Sequence, residues 1–126
     1  MSHISRIELE VKDLGALQNA CRRLGFQFMT GKKTFKWYGT EEASCDHAIK
    51  LPEASYEIGV VKSDGRYELQ CDYYDPILKS KIGENGGYLK QAYAVEKTKA
   101  EARLKGHTVI ERQTENGIRL YVRVGG

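Results

Sequence analysis

The chain has 126 residues, 40% of them apolar and 29% charged, with a net charge of +3 and a pI near 8.7. That length suits one domain spanning residues 1–126, burying roughly two-thirds of the surface of the unfolded chain, and the composition is that of a globular protein rather than a disordered or membrane one. The basicity falls short of what by itself identifies a nucleic-acid-binding protein.

From the N-terminus, Arg6 to Val11 alternates, with Ile7, Leu9 and Val11 on one side and Arg6, Glu8 and Glu10 on the other, which predicts a strand with one wet face. The same stretch lacks the basic-then-apolar order of a signal peptide, and no apolar run approaches the length of a bilayer span, so neither export nor membrane insertion is expected. Asp13 is a good N-cap, Leu14, Leu17, Cys21 and Leu24 recur at helical spacing, and Gly25 supplies a left-handed stop. Phe26 to Met29 and Thr34 to Tyr38 read as strands around Gly31-Lys32-Lys33; the polar stretch Gly39 to Asp46 reads as loop, and His47 to Leu51 as a short strand ended by Pro52.

The clearest hairpin signal follows, because Tyr56 to Lys62 and Arg66 to Tyr73 flank Ser63-Asp64-Gly65, and Asp-Gly accepts the positive φ values of a tight turn. Asp75-Pro76 breaks the sheet, Ile77 to Ile82 forms a short helix, and Gly83 to Gly87 reads as a flexible stretch or N-cap loop. Tyr88 to Lys105 is the long helix, with Tyr88, Ala92, Val95 and Ala102 on its apolar side, Leu89, Tyr93 and Leu104 widening the stripe, and Gly106 as its stop. Thr108 to Gln113 and Ile118 to Val124 make a hairpin around Asn116-Gly117, with Ile118, Leu120, Val122 and Val124 inward and Arg119, Tyr121 and Arg123 outward.

This order says one thing twice. Ala20 to Trp37 reads helix end, glycine stop, strand, turn, strand, and Ala100 to Val124 repeats it. The expected fold class is therefore α+β: an antiparallel sheet with two main helices on one face and a pseudo-twofold helix-strand-strand repeat.

Together, Leu24-Gly25-Phe26, Tyr56-Glu57-Ile58-Gly59, the Asp64 to Leu69 hairpin and the tail from Tyr88-Leu89-Lys90-Gln91 through Ala92-Tyr93-Ala94 to Ile118-Arg119-Leu120 carry a resemblance, with the opening Met1-Ser2-His3. They resemble the conserved reading-frame family of cyanobacteria and plastids, with bacterial and phage relatives, classed as a domain of unknown function. The resemblance implies the fold and assigns no catalytic residue. It offers an ATPase of the AAA type as a partner, and a plastid stroma as an alternative to the cytoplasm.

Chemistry is sparse. Cys21, Cys45 and Cys71 are odd in number and too far apart for a CxxC clamp, which predicts free thiols in a reducing compartment. Cys45-Asp46-His47 carries thiol, carboxylate and imidazole side by side, but successive residues of a strand point to opposite faces, so a loop thiol beside a surface histidine is the simpler reading. Gly83 to Gly87 resembles a phosphate cradle, yet Glu84 opposes an anion and no Lys-Ser or Lys-Thr follows. Glu68, Asp72 and Asp75 show no paired acid and base, and neither cofactor nor metal is expected.

Most of the tyrosines are expected to be core or core-edge residues. The exception is Arg119-Leu120-Tyr121-Val122-Arg123, where Arg119, Tyr121 and Arg123 face away from the inward apolar residues; with Arg112 and Lys36 beside them they would form a basic aromatic surface. The expected function is a non-enzymatic binding or adaptor module recognising a protein or anionic ligand through this face. The alternative is binding of nucleic acid or a nucleotide-like small molecule, the third a small enzyme with a Cys/His site. A free sheet face would also allow a homo-oligomer that buries Tyr121.

Overall fold

The computed structural model describes residues 4–39 and 41–125; Met1-Ser2-His3, which opens the family resemblance, lies outside the described residues. Its centre is a five-stranded antiparallel sheet of β1 (Ser5–Val11), β7 (Arg66–Cys71), β6 (Glu57–Ser63), β5 (His47–Lys50) and β2 (Gln27–Met29), in that spatial order. Strands β6 and β7 are joined by the expected tight turn, with Asp64 at φ 52° and Gly65 at φ 77°, the two positive values that a type I′ turn requires.

Helices α1 (Leu14–Leu24) and α3 (Gly87–Leu104) cover one face of this sheet. Their side chains Leu17, Ala20, Cys21, Leu89, Ala92 and Tyr93 join Ile7, Val11, Ile49, Ile58, Val60, Leu69 and Cys71 in the main core. Both ends of α1 are closed as its sequence implies: the Ala16 amide donates to Asp13 Oδ1 at 3.0 Å, and Gly25 takes φ 79°. Tyr93 locks the two helices together, its hydroxyl oxygen accepting from the amides of Lys12 at 3.1 Å and Asp13 at 3.2 Å.

The opposite face of the sheet is not left bare. Strands β3 (Thr34–Tyr38) and β4 (Glu41–Ser44) form a separate two-stranded ribbon whose Phe35, fully buried, packs with Cys45, Ala48, Met29 and Val61 in a second, smaller cluster. Phe35 lies flat on Gly59 of β6, where any Cβ would overlap its ring. The ribbon is further held by the buried carboxylate of Glu57, whose Oε1 accepts from the Lys36 amide at 2.9 Å and from Lys32 Nζ at 3.2 Å. Glu41 to Ser44 is thus a strand rather than part of a loop; its polarity reflects a ribbon with one face in water.

The doubled grammar does not produce equivalent pairings. After α1, β2 pairs with β5 and β3 with β4, whereas after α3 the strands β8 (Thr108–Thr114) and β9 (Gly117–Arg123) pair with each other. Gly83 to Gly87 leads into α3 as an N-cap loop, with Gly86 at the N-cap. After the short helix α2 (Pro76–Ile82) it forms a single 3-10 turn pinned by Tyr73, whose hydroxyl accepts from the Gly86 amide at 2.8 Å and donates to the Gly83 carbonyl at 3.1 Å. Tyr88 and Leu104, expected on the apolar stripe of α3, are exposed instead, because the buried side of that helix runs through Leu89, Ala92, Tyr93, Val95 and Ala102.

Candidate functional site

The site begins with the strand alternation of β8 and β9. In their antiparallel register Arg112 lies opposite Arg119, Ile110 opposite Tyr121 and Thr108 opposite Arg123, so these side chains share one face of the hairpin. The other face carries the pairs Val109–Val122, Glu111–Leu120 and Gln113–Ile118 and turns toward α3. The connection is Glu115-Asn116, with Gly117 taking φ 137° against Gln91 of α3.

The inner face is held by charge as much as by apolar contact. Arg23 of α1 makes a two-pronged contact with Glu111, Nη1 donating to Oε2 at 2.8 Å and Nη2 to Oε1 at 2.6 Å. The same guanidinium donates to Glu96 Oε2 of α3 from Nε at 3.2 Å and Nη2 at 2.9 Å, and Lys99 Nζ reaches Glu111 Oε1 at 2.7 Å. Hydrogen bonds from Arg23 and then Lys99 hold the Glu111 carboxyl down at about 2. One acidic residue therefore ties the hairpin to both long helices.

Among the described residues, the outer face of the hairpin carries no carboxylate. Arg112, Arg119 and Arg123 are all exposed, and none makes an ion pair among the described residues. Ile110, Arg112, Tyr121, Val122 and Arg123 line a shallow depression of about 360 Å³, with Tyr121 half exposed in its wall. Two guanidiniums directly across a strand pair repel, and among the described residues no carboxylate pairs with either.

Four of the five expected site residues, Arg112, Arg119, Tyr121 and Arg123, are brought together. Lys36 is not: it lies on the β3–β4 ribbon opposite Glu42, in a different sheet. The hairpin also stands apart from the central sheet, so the basic face belongs to an appended two-stranded unit packed on α3. Val122 and Val124, expected to point inward, are 44% and 76% exposed, since the hairpin packs mainly on α3 and its inner face is uncovered toward the strand ends.

Half of the eight tyrosines, Tyr38, Tyr74, Tyr88 and Tyr121, are exposed rather than in or at the core. Cys45 and His47 serve different clusters. Cys45 is buried beside Phe35, its Sγ donating to the Lys32 carbonyl, and burial pushes its thiol pKa up. His47 projects to the other side of the sheet, its ring 5.4 Å from Phe28 and 5.7 Å from Tyr67, with Nδ1 accepting from the Gly31 amide at 2.9 Å. Cys21 and Cys71 are fully buried, and desolvation raises both thiols to about 12. Neither should react with a thiol reagent in the folded protein on a timescale where the unfolded chain is labelled completely; mass spectrometry of the labelled protein checks this.

Sequence reasoning missed the Arg23–Glu96–Lys99–Glu111 network. Its signal was present: Glu96 and Lys99 stand three residues apart on the buried side of α3, between Val95 and Ala102.

A family model described as "Protein of unknown function (DUF1257)" matches residues 20–120. The match includes Arg112 and Arg119 and stops short of Tyr121 and Arg123. No curated protein and no solved structure matches the chain.

Proposed function

Given that the chain belongs to this family of proteins of unknown function, we propose that it is a non-enzymatic binding module that takes an anionic partner on the outer face of the β8–β9 hairpin. The supporting observation is the Arg112–Arg119 pair: like charges placed directly across two strands, with Arg123 nearby and, among the described residues, no carboxylate on that face. Such an arrangement costs the free protein stability, and an anion bridging the guanidiniums would relieve it. An ATPase of the AAA type, offered by the family resemblance, is one protein to examine for an acidic surface.

Turning one arginine of the pair into a carboxylate separates stability from binding. Arg112→Glu should stabilise the hairpin by ~0.2–1 kcal/mol, because an opposite-charge pair replaces a like-charge one. The same change should weaken binding of a polyanion such as polyglutamate, and rising salt should weaken binding to the unaltered protein. Chemical denaturation and fluorescence anisotropy measure the two effects. Loss of stability together with unchanged binding would overturn the reading.

Tyr121, half exposed among arginines, favours a second reading in which a nucleobase stacks on its ring. Tyr121→Ala should then weaken an oligouridylate by about 1–3 kcal/mol while leaving polyglutamate nearly untouched. A cytoplasmic or stromal location belongs to the same proposal; it is supported by three free buried cysteines, which suit a reducing compartment. Among the described residues, no helix is long and apolar enough to cross a membrane.

A further inference from the structure

The hairpin is a two-stranded sheet, so β9 has an outer edge with no partner strand among the described residues. Beside that edge the side chains at every second position are Arg119, Tyr121 and Arg123, and Val122 and Val124 are exposed on the same strand and just beyond it. An exposed edge with apolar side chains is a template for another extended chain.

We infer that the partner is an acidic protein segment that adds to β9 as a third strand, with carboxylates two residues either side of an apolar residue. The inference rests on the anionic reading of the outer face and adds to it the shape of the partner. Strand geometry sets the spacing: side chains of a paired strand fall directly beside those of β9, so residues at alternate positions meet Arg119, Tyr121 and Arg123 in turn. Acidic, apolar, acidic is the order that complements them. A second copy of this chain fits the edge less well, because its own β9 would set arginine against arginine.

The test uses the full chain and the synthetic peptide Ser-Glu-Thr-Val-Thr-Glu-Ser, with two further peptides N-methylated at alternate sets of residues. Only alternate amides of an added strand face its neighbour, so one methylated peptide should lose binding and the other keep it. Arg119→Ala with Arg123→Ala should weaken the unmodified peptide about tenfold, a loss that higher salt reproduces. Both arginines are exposed and make no ion pair among the described residues, so folding is not at risk, and Arg6→Ala on β1 serves as a distant control.

Equal behaviour of the two methylated peptides, whether both bind or both fail, overturns edge pairing, while sensitivity to the arginine substitutions would still uphold the anionic face. Binding of oligouridylate at this face with no binding of the peptide overturns the protein partner. No binding of either, or binding indifferent to the arginines, overturns both readings and leaves Arg119 and Arg123 as guards against edge-to-edge aggregation.

Discussion

Phe35→Ala is expected to lower stability by about 3–5 kcal/mol, seen as a fall in Tm of roughly 10–20 °C. Phe35 is the largest fully buried side chain of the small cluster that fastens the β3–β4 ribbon to the central sheet. Its removal leaves a cavity against Gly59, a residue without a side chain to collapse into the space. Cys45, 8% exposed beneath the same ribbon, should become reactive to thiol reagents in the variant. The reverse change tests the same contact. Gly59→Val drives methyl groups into the Phe35 ring and should cost about 1–3 kcal/mol or more. Gly59→Ala should be far less harmful when combined with Phe35→Ala than alone, since the two positions share one space. A Phe35→Ala loss below about 1 kcal/mol would mean that the ribbon is not docked through this ring.

Arg23→Ala should cost about 2–3 kcal/mol and release the β8–β9 hairpin before the rest of the protein. The substitution leaves Glu96 and Glu111 facing each other with Lys99 as the remaining cation, and both carboxylates are largely covered, with side chains 12% and 27% exposed. Hydrogen exchange should rise across residues 108–123 and change little in β6 and β7, whose amides lie in the main core. Equal exchange in the variant and the parent would show that the network does not anchor the hairpin. Acid should act on the same contact. The folded-state pKa of Glu111, about 2, lies below its ordinary value of 4.5, so its stabilising contribution is complete above about pH 4.5 and is lost as pH falls through 2. Glu111→Gln should flatten that acid limb, which a pH series of thermal melts would show.

The elements readable from the chain are those fixed by neighbours in sequence. The first helix is one, since its cap, its stop and its apolar spacing lie within thirteen residues, from Asp13 to Gly25, and each acts locally. The Asp64-Gly65 turn and the alternation of β9 are others, which is why Arg112, Arg119, Tyr121 and Arg123 could be placed on one surface. Partner choice between strands was not readable. Phe26 to Met29 and Thr34 to Tyr38 look like two arms of one hairpin, but Phe28 pairs with Ile49, and Phe35 needs Gly59, both far along the chain. Lys36 was drawn into the site for the same reason: its charge is visible in the sequence and its sheet is not. The inward ion network joins residues from α1, α3 and β8, and such convergence belongs to tertiary structure alone.

Among the described residues, the β8–β9 hairpin packs mainly on α3, is tied to α1 by one knot of charges, and contributes no strand to the central layer. Natural variation can therefore redraw what its outward surface recognises without disturbing how the body folds. Members of the lineage could diverge in what they capture while retaining a common chassis, and a loop exchanged between two of them, with Arg23 and Glu111 retained, should carry its preference along.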